Sequence, residues 1–214
     1  IEQIGQIAKE KNITFLCDAT QAVGKIKIDV ERDNVDMLCF SAHKLNGPKG
    51  IGVLFKKASI ELTPLIHGGG QEGGLRGGTY NTPLIVGLGK ACDLALNEFK
   101  SNNITLLKKK SKLKEYYENN NIGVVNFQNV MTAPHILSIT LNDLEAEEYL
   151  MLKSKDFVAS TGSACNAAIL EISHVLRAMG ITNNKTSTKK ENKPKNIPLC
   201  NYYSLNLQFY ITSN

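Results

Sequence analysis

The 214-residue sequence has no apolar run approaching the ~20 residues that a membrane-spanning helix requires, which argues against a helical membrane protein. Cysteine is scarce and irregular. Its five copies are odd in number and form no CxxC pair, so neither a disulfide framework nor a zinc site of the usual spacing is expected. A basic leader is also missing. The chain opens instead on a helix-like pattern (Ile1, Ile4, Ile7, Ala8), so no signal peptide is expected and the cytoplasm is the expected compartment. Arginine is rare, and none follows Arg177.

What is present is ordinary for a soluble globular chain: 42% hydrophobic and 21% charged residues, enough for a domain of this length to bury roughly 70% of its unfolded surface. The formal charge of +5 is concentrated in residues 108 to 114 and 185 to 195. The first cluster shares its segment with Leu106, Leu107, Leu113, Tyr116 and Tyr117 at helical spacing. It is therefore read as a solvated helix face, not a nucleic-acid surface.

One stretch stands apart, Asp36 to Gly52. Its first half, Asp36 to Phe40, is a short apolar run that reads as a buried strand, and its second half is a loop bounded by Gly47, Pro48 and Gly50. Ser41, His43 and Lys44 then lie just past a strand end, where open α/β sheets place their ligands. Lys44 becomes a candidate for covalent chemistry, against the alternative of a solvated surface lysine. Upstream, the apolar run Ile13 to Cys17 ends on Asp18. Two neighbouring strand ends would then offer a carboxylate and an amine. That pair suits pyridoxal phosphate, with the lysine holding the aldehyde covalently and the aspartate keeping the pyridine nitrogen protonated. Gln21, Ser41 and His43 would supply hydrogen bonds to the ring oxygen and phosphate.

Along the chain, residues 1 to 11 read as an amphipathic helix with no capping residue ahead of it. Strands are expected at 13 to 17, 36 to 40 and 51 to 55, as the latter part of a mostly parallel sheet with Gly47 to Gly50 turning the chain back. His67 to Thr82 is dominated by glycine and reads as a flexible linker or a place of close backbone approach. Thr82 and Pro83 suit a helix start, for a helix running to about Lys100, and a basic helix follows from about 103 to 119. Two strand-like runs, 123 to 128 and 135 to 141, precede a helix that Asn142 is expected to cap. A strand at 157 to 160 should lead into the next loop, and Ser173 to Gly180 suits a short helix. Beyond Gly180 the composition turns polar and lysine-rich.

Thr161-Gly-Ser-Ala-Cys165-Asn-Ala-Ala places a thiol among residues of little bulk, so its sulfur can be reached. Cys17, Cys39 and Cys92 lie in apolar runs and read as small buried hydrophobes. A free thiol with a pKa of about 8.5 needs a base or a positive field to act as a nucleophile.

Asp18-Ala-Thr-Gln21-Ala-Val-Gly24, Ser41-Ala-His43-Lys44, His67-Gly-Gly-Gly-Gln-Glu, Arg76-Gly-Gly-Thr79 and Ser160-Thr-Gly-Ser-Ala-Cys165 occur in the order found in cysteine desulfurases, the NifS/IscS-like members of the class V aminotransferase group. The chain resembles the second half of such an enzyme over residues 1 to about 180. The resemblance implies an α/β protein of the PLP-dependent transferase fold type I. Residues 1–100 would form the C-terminal part of the large, mostly parallel domain, 101–182 a small α+β domain with the cysteine loop, and 183–214 a divergent, disordered tail. It implies pyridoxal 5'-phosphate held by Asp18, Gln21, Ser41, His43 and Lys44, with Thr79 offered across a homodimer interface formed by loop 67–82. Lys44 and Cys165 would be the catalytic pair, with L-cysteine giving L-alanine and a persulfide on Cys165 for a sulfur-acceptor protein. Iron-sulfur cluster assembly or nucleic-acid thiolation would use that sulfur. The family's arginine after Gln-Glu is Gly73 here, and the C-terminal arginine that clamps the substrate carboxylate has no counterpart. By the same resemblance, residues 1–214 alone are expected to turn over cysteine poorly. The alternatives are a related class V aminotransferase or lyase, which has no use for Cys165, and a non-catalytic remnant that binds a partner.

Overall fold

A computed structural model describes residues 1–142, 146–156, 159, 174–180 and 206–210. Its chain divides into two compact units, Ile1–Asn102 and Asn103–Asn214.

The first unit opens with α1 (Glu2–Glu10), whose N-terminus has no side-chain cap, as the sequence predicts. Only small residues of α1, Gly5 and Ala8, are buried, because the helix lies against the 29–34 turn so closely that a Cβ on Gly5 would land on the Asp33 carbonyl oxygen. That turn is tied internally. Asp33, 2% exposed, accepts from Arg32 Nε at 2.7 Å and from the Asp29 amide at 3.0 Å. The Arg32 guanidinium holds the Asp33 carboxyl below its ordinary value.

Three strands follow, β1 (Leu16–Asp18), β2 (Met37–Ser41) and β3 (Gly52–Lys56), in spatial order β1-β2-β3. The apolar runs become these strands with their ends displaced by one to three residues. β1 and β2 are parallel, Leu16 opposite Met37 and Asp18 opposite Cys39. β3 returns antiparallel, Ser41 opposite Gly52 and Cys39 opposite Leu54. Alternation along the strands sends Leu38, Phe40 and Phe55 to one face, where they pack with Ala19, Val35, Phe15 and Cys17. Leu16 and Leu54, on the opposite face, are each about half exposed. Asp36 fixes where the pairing begins, accepting from the Phe15 amide at 2.9 Å and from Lys57 Nζ at 3.1 Å.

The glycine-rich segment contains a short 3-10 turn at Gln71–Gly74, with Glu72 at φ 51° and Gly73 at φ 64°. α2 (Thr82–Asn97) comes next. Its cap is Asn81, whose side chain accepts from the Leu84 amide at 3.4 Å, so Thr82 is the first helical residue and not the expected cap.

α3 (Phe99–Asn119) starts ahead of the expected basic helix, and the division between units falls within it. The second unit has β4 (Gly123–Val125), β5 (Ile136–Leu141), α4 (Ala146–Leu152), α5 (His174–Ala178) and β6 (Asn206–Tyr210). Both β4 and β6 pair antiparallel with β5. Leu137, Ile139 and Leu141 alternate into a core with Tyr117, Val125, Ala146 and Tyr149. Burial pushes the Tyr117 phenol far above its ordinary pKa. The lysine run of α3 is partly engaged: Lys110 Nζ donates to Thr132 Oγ1 at 2.6 Å and to Ala133 O at 2.8 Å, and Lys114 donates to Gln128.

Two expectations change here. β4 stops at Val125, short of residue 128, because Phe127 takes a left-handed φ of 58° that breaks an extended run. Residues 206 to 210, expected within a disordered tail, form β6, since Asn-Leu-Gln-Phe-Tyr carries the period-two alternation of a strand and β5 offers a free edge. Asn142 donates its amide to the Asn121 carbonyl at 2.9 Å, which ties it to the α3–β4 turn. The expected strand at 157–160, apart from Ala159, and the cysteine loop lie outside the described residues. Among the described residues no helix is long and apolar enough to cross a membrane.

Replacing a helical glycine by alanine ordinarily stabilises a protein by roughly 0.5–1 kcal/mol. Gly5→Ala is expected to do the reverse, costing about 1–3 kcal/mol, because the new methyl overlaps the Asp33 carbonyl. Denaturant unfolding of the two proteins measures this, and a neutral or stabilised variant would contradict the close approach.

Candidate active site

β1 and β2 run in parallel, so their carboxyl ends fall at the same end of the sheet, and these ends are Asp18 and Ser41. The register puts Asp18 beside Cys39, with Ser41 two residues further along β2 on the same face. Strand spacing and rise then separate the Asp18 and Ser41 backbones by roughly 8 Å. Asp18 is exposed. Its Oδ1 accepts from the Thr20 amide at 2.9 Å, and Thr20 holds the carboxyl below its ordinary value, so it is charged at neutral pH. Cys39, between the two, is half-buried, and burial raises its thiol pKa, with the Asp18 charge adding to the effect. Cys17 and Cys92 are likewise half-buried with thiols raised by burial, which fits packing rather than nucleophilic roles.

A 3-10 turn, Ala42–Leu45, carries His43 and Lys44 outward while Ala42 and Leu45 are buried as pegs. The chain then reverses through Asn46 in the left-handed region, Gly47 donates its amide to Ala42 O at 2.9 Å, and Ala42 donates to Ile51 O at 3.1 Å. Lys44 is exposed and makes no hydrogen bond or ion pair among the described residues. Ser41 Oγ lies 2.7 Å from His43 Nδ1. When the hydroxyl donates to Nδ1, the ring proton sits on Nε2 as an outward donor. Gln21 lies on the exposed turn after β1. That turn abuts the lysine turn: a Cβ on Gly24 would meet Leu45 Cδ2 at 2.6 Å.

A cleft of about 460 Å³ opens beside β2, lined by Ser41, His43, Lys49, Gly50, Ile51 and Gly52. Of the expected site residues it contains Ser41 and His43. Asp18, Gln21 and Lys44 stand on the adjoining turns but do not line it, and Thr79 is exposed on the glycine-rich segment. In that segment Gln71 Oε1 accepts from the Gly78 amide at 3.1 Å, the Tyr80 hydroxyl accepts from the Glu72 amide at 2.9 Å, and Gly77 donates to Ile66 O at 2.9 Å. Cys165 lies outside the described residues. Lys49, which the sequence reading did not assign to the site, also lines the cleft, from between Pro48 and Gly50 in the returning turn. Among the described residues no cluster of His, Cys, Asp or Glu could hold a metal ion.

The donor set fits pyridoxal phosphate. It offers a carboxylate held charged, an uncommitted amine on the next turn and a hydroxyl–imidazole pair in a cleft of small-molecule size.

Known proteins resemble this chain in sequence and in fold. Residues 1–189 match the model for the aminotransferase class-V family. The chain is 44% identical over 182 residues to "Cysteine desulfurase IscS" of Methanosarcina thermophila, covering 85% of this chain and 45% of that protein. Its fold is similar to that of a NifS-like protein from Rickettsia africae, with TM-score 0.80 and 25% identity, over 99% of this chain and 52% of the other. It is also similar to the structure described as "SspA in complex with cysteine", with TM-score 0.72 and 33% identity, over 99% of this chain and 54% of that one. The chain thus spans about half the length of the proteins it resembles. With its sheet ends, lysine turn and this match over most of its length, the chain belongs to the aminotransferase class-V family.

Proposed function

We propose that this chain carries the lysine- and cysteine-bearing half of a pyridoxal-phosphate-dependent cysteine desulfurase. The observation that carries the reading is the parallel register, which brings Asp18 and the Ser41–His43–Lys44 turn to one end of the sheet, with Asp18 and Ser41 on one face. The names of the relatives support the substrate, L-cysteine.

Pyridoxal phosphate, when bound, supplies an electron-accepting ring. Lys44 would hold it through its amine, and Asp18, already charged, would keep the ring nitrogen protonated. Gln21, His43 and Ser41 would line its oxygens, the single Ser41 hydroxyl proton going either to them or to His43 Nδ1. By the family resemblance, Thr79, which is exposed and does not line the cleft, would serve the site of a second copy of the chain, with loop 67–82 forming a homodimer contact. Cys165 would take the sulfur. The substrate C–S bond breaks and an S–S bond forms on Cys165; the carbon is reduced to the methyl of alanine, and the sulfur is oxidised to the persulfide level. A sulfur-acceptor protein would then remove that atom, for iron-sulfur cluster assembly or nucleic-acid thiolation.

Borohydride reduction of the protein incubated with pyridoxal phosphate is expected to fix a pyridoxyl group on Lys44, located by peptide mapping. Label on Lys49 or Lys25 instead would refute the assignment of the amine.

Asp18→Asn keeps the size and the acceptor for the Thr20 amide and removes only the charge. Being exposed, it is expected to shift the melting temperature by no more than about 3 °C. Its effect on alanine formation should be far larger, at least about a hundredfold, equivalent to two or more pKa units of ring-proton stabilisation.

The activity is tested in a chimera in which this chain replaces the segment it matches in the Methanosarcina thermophila relative. A folded, cofactor-loaded chimera should release alanine from cysteine and carry sulfur on Cys165 by mass spectrometry. Cys165→Ser should keep the cofactor and lose the persulfide. Undiminished sulfur release by that variant, or a loaded chimera inert toward cysteine, would overturn the reading.

A further inference from the structure

The cleft beside β2 is lined by one lysine that the preceding assignments leave unused. We propose that Lys49 is an anion-anchoring residue of this cleft, binding a dianionic phosphate monoester together with Ser41 and His43. The proposal deepens the cofactor reading and rests on it for the identity of the ligand.

Three observations support it. First, the backbone on both sides of Lys49 is held. Gly47 is bonded to Ala42 O and packed so tightly that a Cβ there would stand 3.0 Å from both Ala42 O and Ala91 Cβ of α2. Pro48 fills the space beside Gly87 of the same helix, where an added Cβ would lie 3.0 Å from its ring. Gly50, at φ 87°, then turns the chain so that Ile51 O accepts from Ala42. The loop therefore presents Lys49 from a fixed base.

Second, the lining of the cleft is one-sided in charge. Ser41 brings a hydroxyl, His43 an imidazole and Lys49 an ammonium, while Gly50, Ile51 and Gly52 bring no charge and no carboxylate is present. A hydroxyl, an imidazole and an ammonium around one concavity are donors suited to phosphate oxygens.

Third, Lys49 makes no hydrogen bond or ion pair among the described residues, unlike Lys56, Lys57 and Lys90 of the same unit. Lys57 is paired with Asp36 at 3.1 Å, Lys90 with Asp93 at 2.8 Å, and Lys56 donates to Ile60 O at 2.9 Å. The charge on Lys49 is thus left for a ligand, and being exposed it should act in a salt-dependent way.

The test is calorimetric titration of the full chain with pyridoxal phosphate, with pyridoxal lacking the phosphate, and with inorganic phosphate. Wild type, Lys49→Gln, Lys49→Arg and Lys27→Gln are compared, the last removing one charge outside the cleft, with folding of each checked by circular dichroism. Lys49→Gln is expected to weaken pyridoxal phosphate and inorganic phosphate by about five- to tenfold, a charge-assisted bond discounted for exposure. Pyridoxal affinity should not change, Lys49→Arg should recover most of the loss, and the effect should shrink as salt is raised. Equal affinity in Lys49→Gln, or an equal loss in Lys27→Gln, would overturn the proposal. Phosphate binding that depends on Lys49 without binding of pyridoxal phosphate would uphold the anion site and overturn the cofactor reading. Binding of none of the ligands would overturn both.

Discussion

The parallel pairing of β1 with β2 is the constraint on which the candidate site depends. Side chains alternate faces along a strand, so a slip of one residue would carry one strand's set to the opposite face. Leu38 and Phe40 would then lose their places against Val35 and Phe55, and Asp18 and Ser41 would no longer share a face. Core packing and site geometry are therefore coupled. The hydrophobic face that selects the register also places the polar strand ends. Asp36 reinforces the same register from the other end of the strands by bonding the Phe15 amide.

Beyond the strand ends, the turns derive their order from small contacts. The lysine turn is anchored by buried Ala42 and Leu45, so Lys44 projects from a fixed base although its own side chain is exposed. Leu45 also meets the turn after β1 at Gly24, where positive φ and lack of space both require glycine. Electrostatic preparation is local too. The hydroxyl and amide of Thr20, two residues away, hold the Asp18 carboxyl below its ordinary value, which requires nothing from the rest of the sheet.

The outer face of the first sheet is notably apolar. Leu16 and Leu54 are half exposed there, and the same unit exposes Ile4, Ile7 and Ile13. β1 and β3 are edge strands among the described residues, and unpaired edges beside apolar surface favour association with further polypeptide.

The sequence by itself determined the order and kind of most elements: an uncapped amphipathic α1, three apolar runs as strands, the lysine turn and a long helix opened by proline. These signals are local, carried by periodicity and by glycine and proline within a few residues, and the ordered motifs from Asp18 to Cys165 made the family legible. Tertiary structure alone decided which strand ends share a face, because that depends on pairing between residues about twenty positions apart. It decided that Ser41 and His43 enter a cleft while Asp18 and Lys44 flank it, and it added Lys49, which reads as an ordinary loop lysine until the turn at Gly50 folds it back beside them. It also decided β6, since a five-residue alternation becomes a strand only where an edge such as that of β5 satisfies its backbone.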